Sequence, residues 1–410
     1  MSKPLTEALA WVDKRFPLSK LWNEHLAEYY APKNFNFWYY FGSLALVVLV
    51  IQVLTGIFLT MHYKPDAALA FGAVEYIMRD VPGGWIIRYM HSTGASLFFV
   101  AVYLHMFRGL LYGSYKAPRE LLWVVGMVIY LILMGEAFMG YLLPWGQMSY
   151  WGAKVIINLF GAVPFVGEEL ALWIRGDFVI GDATLNRFFS LHVIAMPLVL
   201  IGLVVVHIMA LHETGSNNPD GIEIKDLKDE KGIPLDGIPF HPYYTVKDFF
   251  GVVAFLIVFA AIMFFAPAMG GYFIEAPNFV PANPMVTPEH IAPVWYFTPF
   301  YAILRAVPPI AGSAFPGVMA MGGSIIILFL LPWLDRSPVK SIRYRGGLSK
   351  IALTLFVISF VGLGWLGLQP PSDMGTLWSR LLGIVYFGFF LLMPFYTSVD
   401  KCKPVPERVT

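Results

Sequence analysis

The chain is poor in charge and nearly devoid of cysteine. Lys, Arg, Asp and Glu make up 13% of its 410 residues, about half the roughly 25% usual in soluble domains. Its mean hydropathy is +0.65. A water-covered surface cannot be built from that composition, which excludes a soluble enzyme of two or three domains. The single cysteine, Cys402, lies in a polar tail. One thiol excludes a disulfide framework, a cysteine-ligated zinc or iron–sulfur site, and covalent haem attachment through C-x-x-C-H. A net charge of +1 with no basic tract leaves nucleic acid no electrostatic footprint. No internal repeat argues for an inverted-repeat transporter. The first 36 residues hold no apolar core ahead of a small-residue cleavage site, so no signal peptide is expected. What is plentiful is apolar side chain, 58% of the chain. The expected fold is an all-α integral membrane protein in contact with lipid.

A helix needs about 20 apolar residues to cross the hydrocarbon core, and eight stretches qualify: 37–61, 89–112, 121–143, 188–211, 249–268, 314–334, 351–368 and 377–396. We call them helices A to H. Assigning each Lys and Arg to the nearer membrane side puts 20 with the termini and 8 opposite, so both termini are expected on the cytoplasmic, inner side. Residues 1–36 form an inner-side segment, 37–220 a four-helix bundle with its outer C–D loop, and 221–410 helices E–H with the outer E–F loop. Two outer loops read as structured: 150–167, which has the alternation of an interfacial amphipathic helix, and 276–317, which carries nine prolines.

Helices B and D each hold two histidines, His91 and His105, then His192 and His207. Fourteen residues at 100° each come within about 40° of whole turns and span ~21 Å, so the B pair shares one face near opposite membrane ends. The D pair is fifteen apart, leaving about 60° of offset. Pro197 lies between them, and a kink there is expected to absorb the extra residue. Since B and D run the same way, His91 is level with His192 and His105 with His207. Facing imidazoles at two depths are what bis-histidine ligation of haem iron requires.

Glycines mark the same two levels. Gly42 and Gly56 on A, and Gly126 and Gly140 on C, are each fourteen apart. Gly56 and Gly140 fall at the outer level, Gly42 and Gly126 at the inner, where close approach needs a missing side chain. Arg88 and Arg108 stand three residues from a histidine near the membrane ends. They either pair with haem propionates or snorkel to the interface.

Several strings carry a resemblance over nearly the whole length: GYLLPWGQMSYWG (140–152), LHETGSNNP (211–219), FHPYYTVKD (240–248) and PVWY (293–296). The sequence resembles the cytochrome b family of ubiquinol–cytochrome c reductases, the cytochrome bc complexes. The resemblance implies eight helices and two non-covalent b haems. It gives His91 and His192 to the outer, low-potential haem, and His105 and His207 to the inner, high-potential one. It further implies ubiquinol oxidation at an outer site, with one electron going to a Rieske iron–sulfur protein and on through a cytochrome c1-type subunit. The other electron crosses through the haems to reduce quinone at an inner site. The complex would be a homodimer in an energy-transducing membrane, the bacterial inner membrane being favoured. Matching positions at the inner quinone site are His212, Ser216, Lys247 and Asp248. At the outer site they are Tyr141, Gly152, Pro293, Trp295, Tyr296 and Tyr301.

Two features depart from the family pattern. The D-helix spacing is fifteen, as in the photosynthetic relatives, where the mitochondrial branch has fourteen; those relatives split the protein, whereas this chain continues through helix H. The second departure is Val294, at the place where the family motif carries Glu. Helix C instead holds Glu136 inside an apolar span, one turn from Gly140. An acid there costs roughly 2.5–3.5 kcal/mol on insertion scales, so Glu136 is expected to accept the proton of quinol oxidation. Two other functions compete: a secondary transporter with a histidine proton relay, and a two-haem anchor subunit of a dehydrogenase.

Overall fold

The computed structural model describes residues 3–410, the Lys3 and His25 side chains excepted. Long runs of Leu, Val, Ile and Phe become helices because only internally bonded backbone survives in hydrocarbon. Seven helices are long and apolar enough to cross a membrane: A (Phe37–Thr60), B (Gly84–Tyr112), C (Glu120–Leu142), D (Asp182–Thr214), E (Phe240–Phe265), G (Gly347–Leu368) and H (Asp373–Leu391). Helix F departs from expectation. It runs Phe315–Phe329, and a separate short turn, Leu331–Leu334, follows it. Pro332 has no N–H to continue the ladder. Fifteen residues rise only about 22 Å, short of a full span.

Helix B begins five residues before its expected start and ends at Gly113, whose φ of 65° is the left-handed cap that suits glycine. Helix D contains the main surprise. Its turn Leu191–Ala195 is π-helical, and Pro197 opens the regular helix after it. The extra residue in the histidine spacing is therefore taken up by a π turn rather than by a proline kink. A single π turn absorbs about one residue, leaving D the same 40° remainder as B.

Helix A packs along B and C along D, while B and D have little backbone approach to one another. A gap between the two helix pairs follows. Helices E and F lean on this bundle, and G and H pack with residues Thr298–Ala306 of the E–F loop. The apolar core centres on Phe99, Met127, Tyr130, Val294, Phe300, Leu331, Leu363 and Phe390. Large side chains such as Val205, Phe250, Ile257 and Ile358 remain exposed on the outer helix faces, as lipid contact requires.

Three connections fix the site-bearing ends. A short antiparallel pair, Tyr30–Pro32 with Gly237–Pro239, ties the amino-terminal segment to the D–E loop. On the same side, Arg119 grips Glu223 through two bonds of 2.6 and 2.7 Å. On the other side, residues Gln147–Gly161 and Gly167–Arg175 form helices, so the expected 150–167 helix is two. The E–F loop is stitched to the first of them: Gln147 N–H donates to the Val280 carbonyl at 3.1 Å, and Ala282 N–H to that of Trp145 at 3.0 Å. Trp145 sits at φ 56°, a left-handed backbone costing about 1–2 kcal/mol.

Candidate functional site

The four histidines meet in the expected pairs. The His91 and His192 ring centres lie 6.2 Å apart, and those of His105 and His207 6.3 Å apart. Two metal–nitrogen bonds of about 2 Å each and the half-widths of two imidazoles fill that separation. The ring planes are crossed, by 83° and 62°.

Local partners set the tautomers. Thr55 donates its hydroxyl hydrogen to the Ile51 carbonyl at 2.6 Å, so its oxygen is left to accept from His91 Nδ1 at 2.9 Å. His192 Nδ1 lies 2.9 Å from the Glu136 carbonyl oxygen and 3.0 Å from its side-chain Oε1. A nitrogen facing acceptors carries the proton, which leaves the Nε2 lone pair of His91 and His192 free to bind a metal.

Each expected glycine lies against one ring. A Cβ on Gly42 would stand 3.2 Å from His105 Cε1, one on Gly126 3.1 Å from His207 Cε1, and one on Gly56 3.5 Å from His91 Cε1. A Cβ on Gly140 would overlap the His192 ring, within 2.9 Å of both nitrogens. The glycines thus seat the imidazoles as well as clearing the gap between helix pairs. The contacts are graded, and so is the expected outcome. Gly140→Ala should lose most of the outer haem, because a ring fixed by ligation cannot retreat. Gly56→Ala should bind nearly the wild-type complement, 3.5 Å being ordinary contact. Haem content in purified membranes checks both; equal haem in the two variants would remove the close-approach argument.

Arg108 lies against the His105 ring, 3.3 Å from Nδ1, and stacks over Tyr39 at 5.0 Å. Its Nε is buried without a partner among the described residues, an orphan donor that an anionic group would satisfy. Arg88 is partly buried at the other end of helix B. Paired imidazoles, glycine seats, a gap between helices and a guanidinium with an orphan Nε all fit two b haems.

Of the inner-site residues, the structure makes two groups. Tyr29 stacks on His212 at 4.3 Å and shares a 3.0 Å hydrogen bond with Ser216. Lys247 and Asp248 line a cavity with Phe35, Tyr39, Tyr40, Phe240 and Tyr244. Phe240 packs near Tyr29 as well, so it stands between the groups. Tyr29, brought in by the short strand pair, was not foreseen.

At the outer end, Tyr296 stacks flat on Phe99 at 3.9 Å, and its carbonyl accepts from Tyr103. Trp295 Nε1 donates to Ser96 at 3.3 Å, and Tyr301 to the Ile291 carbonyl at 3.3 Å. Pro293 leads into this turn. Val294 is buried in the core, with no polar atom to offer. Gly152 faces Tyr141, where a Cβ would stand 3.7 Å from the ring.

The Tyr141 hydroxyl donates to Glu275 Oε2 at 2.7 Å and accepts from Asn278 Nδ2 at 2.9 Å. Asn278 Oδ1 in turn accepts from Ser149 N at 2.8 Å. Burial pushes the Glu275 carboxyl up to about 7, against the opposing hydrogen bonds of Tyr141 and Asn278. Glu275 is the acid that sequence reasoning missed. Only its being one of two acids between helices E and F, with Glu289, could have flagged it. Glu136, by contrast, turns its carboxyl to His192 rather than to the E–F loop.

Two family models match the chain: "Cytochrome b/b6/petB" over residues 26–215 and "Cytochrome b(C-terminal)/b6/petD" over 281–387. Cytochrome b of Allochromatium vinosum is 68% identical, with all of both chains covered. Cytochrome b/c1 of Bradyrhizobium diazoefficiens is 47% identical over all of this chain and 57% of its own length. Among solved structures, a chain of a hyperthermophilic respiratory Complex III superposes with a TM-score of 0.87 at 39% identity, covering 95% of this chain and 99% of that one.

Proposed function

This chain belongs to the cytochrome b family, as the cytochrome b of a bc complex, and from that premise we propose that it oxidises quinol at an outer site and reduces quinone at an inner one. The carrying observation is the two level histidine pairs, 6.2 and 6.3 Å between ring centres, each ring seated on glycine. Helix F, too short alone, would complete an eighth crossing together with the Leu331–Leu334 turn that follows it. Residues 37–220 hold the cofactors, and 221–410 supply the loop of the outer site.

When bound, the two b haems carry one electron from the outer to the inner side of the membrane. His91 and His192 would hold the outer one through the ring nitrogens left unprotonated, and His105 and His207 would hold the inner one. Arg108 would pair with a propionate of the inner haem, and Arg88 with one of the outer. At the outer site Trp295, Tyr296 and Pro293 form an apolar wall, beside Tyr301 and the Gly152 surface. Glu275 takes the quinol proton there in place of the motif acid absent at Val294. A carboxyl near 7 is ionised often enough to accept at neutral pH and releases the proton outward readily. Glu136, expected for this task, is spoken for by His192. At the inner site His212, Ser216 and Lys247 offer donors to the quinone oxygens, and the Asp248 carboxylate accepts from a quinol hydroxyl. The other electron of each quinol leaves to a Rieske iron–sulfur protein and a cytochrome c1-type subunit, in a homodimer of the bacterial inner membrane with both termini inside.

Purified complex should give two b haems per chain in a pyridine haemochrome assay and reduce cytochrome c with quinol, with inhibitors acting separately at each site. A chain free of stoichiometric haem b would be a histidine-relay transporter instead. Haem without quinol–cytochrome c turnover would favour a dehydrogenase anchor.

A further inference from the structure

The imidazoles of D are not treated alike. His192 Nδ1 has a backbone carbonyl at 2.9 Å and a carboxylate oxygen at 3.0 Å, both from Glu136. His207 Nδ1 has only the Leu122 backbone beside it and no side-chain partner among the described residues. The sequence makes the contrast systematic: Glu136 stands four residues before Gly140, and Leu122 four residues before Gly126. At matching places on helix C, the outer level carries an acid and the inner level a hydrocarbon. The other Glu136 oxygen, Oε2, is buried with no partner. An acid kept at that cost, for one hydrogen bond to one ring, has a use at that ring.

We propose that Glu136 is a positioning residue which holds the Nδ1–H of His192 and thereby lowers the reduction potential of the outer haem relative to the inner. A carboxylate accepting from the far nitrogen raises the basicity of the ligating one. A more basic ligand favours the ferric over the ferrous state, and hydrogen bonding around the ligands is one of the protein's means of setting potential. Thr55, a neutral hydroxyl, does less for His91 on the opposite side. The asymmetry makes inward electron flow downhill, from the outer pair to the inner.

The proposal rests on the haem-ligand reading above, and potentiometric titration of the purified complex separates the two. Glu136→Gln keeps the side chain's size and loses its charge; Glu136→Ala loses the acceptor altogether. Both should still bind two b haems. The outer haem should become about tenfold easier to reduce, an upward shift of about 59 mV for one electron, with the alanine variant at least as far shifted as glutamine. The inner haem should not move. An unchanged outer potential in both variants, or equal shifts of both haems, would overturn the role of Glu136. So would loss of the outer haem from Glu136→Gln, since that would make the residue a structural anchor. A wild-type complex lacking two b haems would instead count against the ligand assignment itself.

Discussion

His207→Leu will halve the haem content of the complex, removing the inner b haem and leaving the outer one in place. The two levels share no ligand: His207 faces only His105 at 6.3 Å, and His192 faces only His91 at 6.2 Å. Leucine fills the volume of the imidazole but has no donor atom, so the iron loses one of its two axial bonds. Gly126, which seats the His207 ring, leaves no neighbouring side chain to substitute. His105→Leu should give the same spectrum from the other side. The measurement is the reduced-minus-oxidised spectrum with a redox titration, in which the higher-potential component disappears. Two intact haems in His207→Leu would end the ligand assignment.

The next largest effect is expected at Glu275. Glu275→Gln should slow quinol oxidation by about 10²-fold, the lower range for loss of a positioned base, with both haems assembled normally. The sign of the pH dependence follows from the raised carboxyl. Only the ionised form accepts a proton, so wild-type turnover should fall as pH drops through about 7. That limb should vanish in the glutamine variant, whose amide still accepts from Tyr141. Adding Val294→Glu to Glu275→Gln should recover part of the rate by restoring an acid beside Trp295. Near-normal turnover in Glu275→Gln, with the pH limb intact, would move the acceptor to water or to a partner subunit.

The parts of this molecule that were legible in sequence are those governed by periodicity. Hydrophobic runs gave the spans, and histidines and glycines at helical spacing gave the two levels, because one helix fixes depth and face together. Glu275 was hidden for the opposite reason. It lies in an irregular loop whose path depends on Asn278 bonding Tyr141 and Ser149 at once, a long-range arrangement with no period. Tyr29 reaches His212 through a strand pair joining residues some two hundred positions apart. Glu136 was visible as an anomaly in an apolar span, but the direction of its carboxyl was not. Its rotamer, which the sequence does not encode, chose His192. Helix F was read too long because hydropathy does not register a missing N–H at Pro332.

The π turn at Leu191–Ala195 bears on how such helices can change over time. One added residue in a regular helix rotates everything beyond it by 100°, which would demand compensating changes along the whole buried face. Here the addition is swallowed within a single turn, and His207 meets its partner as though nothing had been inserted. Ligand spacing can therefore drift by one without any neighbour having to follow. A count of fourteen or fifteen between the histidines is consequently a poor marker of descent, since a lineage can gain or lose that residue while the site it serves stays fixed.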